Sequence, residues 1–175
     1  MFKIIASVAS ILGVCAALSL AAPPATAQAV AGCSVVALTD PPRDVLRCRG
    51  GLTIEAEKDT RYRLVDNDRN GAPEAAEVSA RALLIDLPPG RRGSFQVLTP
   101  HAIASVRGTI YAVDVQGGRT SVFVARGRVA VRHREPLPSV MLGAGQGVDV
   151  VPGQPLDVKT WGAERAAGLL ARFGR

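Results

Sequence analysis

The sequence predicts an all-β fold: a jelly-roll-like sandwich or β-roll of short antiparallel strands with a C-terminal amphipathic helix, a short β-solenoid being the alternative. Three observations carry this expectation. Short runs rich in Val, Ile, Thr and aromatic residues recur between residues 34 and 151, several with apolar and polar positions in alternation. Glycine (18) and proline (12) fall between those runs, setting strand-like segments about 8–12 residues apart. Helical spacing of apolar residues is confined to the last fifteen positions, 161–175.

The chain opens with Lys3, an apolar run from Ile4 to Ala22, then Pro23-Pro24 and Ala25-Thr26-Ala27. A basic start, an apolar stretch and a small-X-small ending form a secretory signal peptide, residues 1–27. The run is nearly long enough to span a bilayer uncleaved. The helix-breaking prolines before Ala-Thr-Ala favour cleavage, which leaves 148 of the 175 residues. That length supports one domain with its own core. Export of the whole β domain, residues 28–160, to the periplasm follows.

Export fits the cysteines. Cys15 leaves with the signal peptide, and the even remainder, Cys33 and Cys48, suggests a disulfide. It would close a loop of about 15 residues, worth roughly 3 kcal/mol in the chain-entropy description. Residues 34–38 and 45–47 read as strands around the turn Asp40-Pro41-Pro42-Arg43-Asp44, so the bridge staples a hairpin. Val30-Ala31-Gly32-Cys33 also reads as a lipobox, which would anchor an acylated Cys33 in a membrane. Pro-Pro-Ala-Thr-Ala-Gln intervenes between it and the apolar run, and acylation would strand Cys48 as a lone thiol. The disulfide is the better reading.

Further strands are expected at 52–57, 61–65 and 81–87, with Pro88-Pro89-Gly90 as the sharpest internal break. Between them, Asp66-Asn67-Asp68-Arg69-Asn70-Gly71 and Glu77 satisfy the calcium-loop spacing D-x-[DN]-x-[DN]-G-x5-E. Asp66, Asp68, Asn70 and Glu77 would be the oxygen ligands, the glycine allowing the bend that gathers them. Pro73 and the strand-like segment before the loop argue against an EF-hand. Asp, Asn and Gly are equally what a plain turn requires.

Residues 95–98, 102–106, 109–115, 119–125, 128–134, 139–142 and 148–151 complete the strand set. Arg107-Gly108 joins the second and third of these, and Gly117-Gly118 makes a hairpin turn. In the run 128–134, Val129 and Val131 alternate with Arg128, Arg132 and Arg134, valines to a core and arginines to water.

Thr99-Pro100, then Val106-Arg107-Gly108-Thr109, Tyr111 and Val113, then the Val124-to-Val129 segment with Gly127, and later Gly145-Gln146-Gly147-Val148 follow a recognisable order. The chain resembles the FecR domain, the periplasmic part of bacterial iron-transport signalling proteins, most strongly over residues 99–131. Ile110 departs from the polar residue expected there. The resemblance implies an all-β fold and structural roles for Thr99, Pro100, Arg107, Gly108, Thr109 and Gly127. It also implies a non-catalytic protein that contacts an envelope or inner-membrane signalling partner. In that family the domain is joined to a cytoplasmic anti-sigma segment. None is expected in this chain, so signalling would pass through a membrane partner.

In the final segment, Thr160 is a candidate N-cap, and Trp161, Ala166, Leu169, Leu170 and Phe173 share a face. Such a helix folds back on its own sheet or docks on a partner. Without Lys3 the mature chain has 20 basic and 15 acidic residues, a net charge of +5. Export excludes nucleic acid as the partner, and the arginines, Arg91-Arg92 included, are spread as a solvated face. Catalysis finds no motif. His101 and His133 stand apart from any nucleophile signature, and Gly143 to Gly147 lacks the Lys of a phosphate loop. No cofactor is expected beyond the open calcium question.

Overall fold

The structure is a computed structural model describing residues 32–90, 93–135 and 138–175. The signal peptide, the start of the lipobox and Arg91-Arg92 lie outside the described residues. The chain forms β1 (Cys33–Thr39), β2 (Pro42–Cys48), β3 (Thr53–Glu57), β4 (Arg61–Val65), β5 (Ala75–Asp86), β6 (Phe95–Leu98) and β7 (Ala102–Val106). There follow β8 (Ile110–Gln116), β9 (Arg119–Arg126), β10 (Val129–His133), β11 (Val140–Leu142), β12 (Gln146–Val150), β13 (Lys159–Thr160) and the α-helix α1 (Ala163–Ala171). No helix among these residues is long and apolar enough to cross a membrane.

The strands make one sheet that curls upon itself into an open half-barrel, and β5 is the corner. Its first half pairs with β4 and β6, its second half with β3 and β8. The bend is local. Arg61 pairs with Ala80 while Tyr62 pairs with Val78, so Ser79 is an extra residue, and Arg81 two residues on has a left-handed φ of 68°. A bulge followed by a left-handed residue turns a strand sharply and lets it change sheets.

Successive hairpins then alternate between the two wings. β6–β7 and β10–β11 belong to one wing, β8–β9 and β12–β13 to the other. This is the roll that the sequence predicts, with two differences. β7 and β8 do not pair across Arg107-Gly108; β7 pairs with β6 and β10, β8 with β5 and β9. The β5–β6 pair is parallel, in an otherwise antiparallel sheet.

The main core lies inside the curl. Leu46, Ile54, Leu83, Ile85, Tyr111 and Val122 from one wing meet Phe95, Val97, Ala104, Val129 and Leu142 from the other. Among the described residues the Tyr111 hydroxyl is the one buried polar side-chain atom without a partner. Burial holds its phenol far above the ordinary pKa. An unsatisfied buried hydroxyl costs free energy that a phenyl ring does not. Tyr111→Phe is therefore expected to stabilise the protein by about 1 kcal/mol, raising Tm by about 3 °C, as read by thermal unfolding; a lower Tm would contradict it.

A second, smaller core covers the outer face of one wing. Ala82, Leu84, Ala112 and Phe123 alternate with the inward residues and receive Trp161, Leu169 and Phe173 from the C-terminal segment. The terminal segment thus folds back onto its own sheet. Its N-cap is Gly162, not Thr160, because Thr160 is drawn into β13 opposite Gln146.

Candidate functional site

The motif residues come together at the turns of the roll. Thr99 closes the tight β6–β7 turn: its hydroxyl accepts the N–H of Ala102 at 2.9 Å and of His101 at 3.3 Å. It also lies 2.8 Å from the Thr120 hydroxyl, which is 3.1 Å from His101 Nδ1. Thr99 and Thr120 are both buried. His101 therefore does reach a hydroxyl, but a buried one that is already bonded to Thr99. His133 is buried on β10 opposite Ala102. Thr99→Val removes the acceptor of a buried backbone N–H and is expected to cost about 2 kcal/mol, with faster amide exchange at Ala102. Unchanged exchange there would refute this role for the hydroxyl.

The second motif cluster joins two sheet-to-sheet crossings. The Thr109 hydroxyl donates to the carbonyl of Arg128 at 3.0 Å, with the Arg107 carbonyl at 3.3 Å. Gly127 sits directly over this turn with φ of 89°, and a Cβ there would lie 2.9 Å from the Gly108 carbonyl oxygen. Only glycine satisfies both the backbone angle and the approach. The Pro100 and Arg107 side chains are exposed, whereas Thr99, Thr109 and Gly127 bind strands to one another.

The disulfide Cys33–Cys48 forms and joins the paired ends of β1 and β2. A sulfur so bonded cannot also carry a thioether-linked lipid, so bridge and lipid anchor exclude one another.

In the acidic loop, the Asp66 carboxylate accepts the N–H groups of Asn70 at 3.2 Å and Gly71 at 2.8 Å. Asp68 accepts from the Asn70 backbone and amide side chain, and Asn70 from Ala72. Glu77 lies on β5 opposite Arg63 and pairs with its guanidinium at 2.8 Å. Asp66, Asp68 and Asn70 thus converge on the loop's own backbone, while Glu77 is held by a strand neighbour. Among the described residues no group of three or more His, Cys, Asp and Glu gathers as metal ligands.

An ionic clamp that the sequence did not disclose holds the C-terminal segment. Arg172 contacts Glu57, bonds Asp114 at 2.7 Å, and thereby ties α1 to β3 and β8. Arg175 and Arg43 both pair with the buried Glu55, at 2.6 and 2.9 Å. At the other end of the helix, Arg165 lies 3.6 Å over the Trp161 ring and bonds Asp149 at 2.6 Å. Burial alone would raise the Asp149 pKa; the hydrogen bonds from Arg165 and Ser121 outweigh it and hold it below the usual value. Its stabilising contribution is thus complete above the unfolded carboxylate pKa of about 3.9 and lost as the pH falls below it.

A basic groove of about 590 Å3 runs along β4, bounded by Arg61, Tyr62, Arg63, Pro100 and Arg134.

The fold has counterparts in known proteins. The model of the FecR family, described as "FecR protein", matches residues 41–130, 90 of the 175 in the chain. The match begins far upstream of the 99–131 segment in which the motifs are densest, and takes in β2 to β9. Two crystal structures of a "putative anti-sigma factor" from Parabacteroides distasonis superimpose with TM-scores of 0.61 and 0.60 at 15% identity. They cover 79% and 78% of this chain, which spans 64% of the length of each. No curated protein matches. A roll whose motif threonines and glycines knit its turns, matched by the family model over half its length, belongs to the FecR family.

Proposed function

We propose that this protein is a non-catalytic periplasmic domain that recognises an envelope or inner-membrane signalling protein and relays or scaffolds its signal. The observation that carries the reading is the family match over residues 41–130. Two features support it. The family's motif residues are spent on holding the roll together, and the disulfide at Cys33 suits an oxidising compartment. The relatives of like fold are described as anti-sigma factors, which is consistent with a regulatory role.

The test is in vivo photo-crosslinking from exposed positions such as Arg61 and Arg107, with the captured protein identified and its gene deleted. Capture of an envelope signalling protein, together with altered transcription of the genes it governs, supports the reading. Full-length protein in the cytosol with Cys33 and Cys48 free to alkylate would sink it.

A further inference from the structure

The groove beside β4 joins two independent features. One is an open edge. β4 pairs with β5 alone, and among the described residues each of its hydrogen bonds and ion pairs goes to β5 or to Glu74 just before it. The segments leading into and out of β4, residues 57–60 and 66–74, are described, and neither lays a strand on its far side. The other feature is charge without a partner. Arg61 from β4 and Arg134 from just beyond β10 bound the same groove of about 590 Å3. Both are exposed and, among the described residues, neither has an acidic partner. Arg63 shares the groove but is held by Glu77 at 2.8 Å, and both of those side chains reach water. The half-buried Leu98 and the exposed Pro100 make part of the wall apolar.

Resting on the envelope-partner reading, we propose that this groove receives an extended acidic segment of that partner, which adds as a strand to β4 and sets its carboxylates against Arg61 and Arg134. An unpaired edge supplies main-chain hydrogen bonds, and the side chains beside it choose the sequence. Charge chooses the occupant here. Arginines on the edge repel a second copy of this cationic chain, whereas opposite charges on neighbouring strands attract. A phosphate-rich polymer or lipid headgroup fits less well, because Glu77 stands among the arginines and the apolar wall stays unused. An acidic chain with apolar residues at alternate positions matches both. The contact is small and solvent-exposed, so binding is weak, fast and sensitive to salt.

Fluorescence anisotropy of a labelled, end-blocked peptide alternating glutamate with valine, added to the oxidised protein, tests this. The expected result is saturable binding that Arg61→Gln with Arg134→Gln weakens by about tenfold or more. Tm should not change, since both sites are exposed. Arg107→Gln with Arg128→Gln removes the same charge from exposed positions outside the groove and should leave the affinity nearly as it was. The glutamine version of the peptide should not bind, and methylating the backbone nitrogens of the acidic one should abolish its binding, because strand addition needs their N–H groups. No binding, equal losses from the two arginine pairs, or binding that survives methylation each overturns the proposal. So does tighter binding of phosphatidylglycerol vesicles than of the peptide through Arg61 and Arg134. In the cell, a photo-crosslinker at Pro100 should capture the envelope signalling partner. Capture from Arg107 but not from Pro100 overturns this groove and leaves the signalling role standing, whereas capture from neither overturns both.

Discussion

Gly147→Ala is expected to expel the only tryptophan of the chain from its site and to destabilise the fold by about 3–5 kcal/mol, the cost of losing a buried large aromatic residue. Gly147 lies in β12 opposite Phe123. A methyl group there would stand 2.3 Å from Trp161 Nε1, 2.4 Å from Cε2 and 2.8 Å from the Val122 carbonyl oxygen. The carbonyl belongs to the neighbouring strand and cannot yield without opening the pair, so the indole must move. It stacks on Phe123 with ring centroids 5.0 Å apart and carries Arg165 on its other side. Its departure removes the stack, frees Arg165 from its ring contact, and opens the outer core around Leu84 and Ala112. A single tryptophan makes the readout direct: its emission should shift to the red in the folded variant, and the melting transition should fall with it. An unshifted emission maximum at full stability would show that β12 can retreat from the indole.

Sequence alone locates most strands, because short β-branched runs between glycine turns are a local signal. β4, β6 and β7 run over the residues expected, 61–65, 95–98 and 102–106. The first half of β5 escapes notice because Ala75-Ala76-Glu77-Val78-Ser79-Ala80 has little strand propensity; pairing on both sides imposes its conformation. The alternation of hairpins between wings is also hidden, since Gly108 and Gly127 signal a turn and not which sheet follows it. The docking face for α1 did leave a mark. Ala82-Leu83-Leu84-Ile85 and Val122-Phe123-Val124 are unbroken apolar runs, the pattern of strands covered on both faces. Glu55 and Asp114, set inside the apolar runs Ile54–Ala56 and Val113–Val115, marked where cations had to arrive. Arg43 on the adjacent strand meets Glu55, but the partners from the C-terminal segment, Arg172 and Arg175, lie more than fifty residues away in sequence. No local pattern could pair them.

Arg172→Ala should release the end of the helix and lower stability by about 3 kcal/mol, the low end of the range for breaking a buried ion pair, because the groups retain some contact with water. The side chains of Arg172, Glu57 and Asp114 are 23%, 17% and 11% exposed. Without the guanidinium, Glu57 keeps only the distant Arg81 at 3.9 Å, and Asp114 keeps the amide of Gln116 at 2.6 Å. Two half-satisfied carboxylates then face each other beneath the helix. The expected fall in Tm is about 9 °C, with earlier proteolysis after Trp161 as Leu169 and Phe173 lift from Leu84. Arg172→Lys should recover only part of the loss, since a point charge cannot fork between Glu57 and Asp114 as a guanidinium does. Full recovery by Lys would show that charge, not geometry, seats the helix, whereas an unchanged Tm in Arg172→Ala would show that Trp161, Leu169 and Phe173 hold it alone.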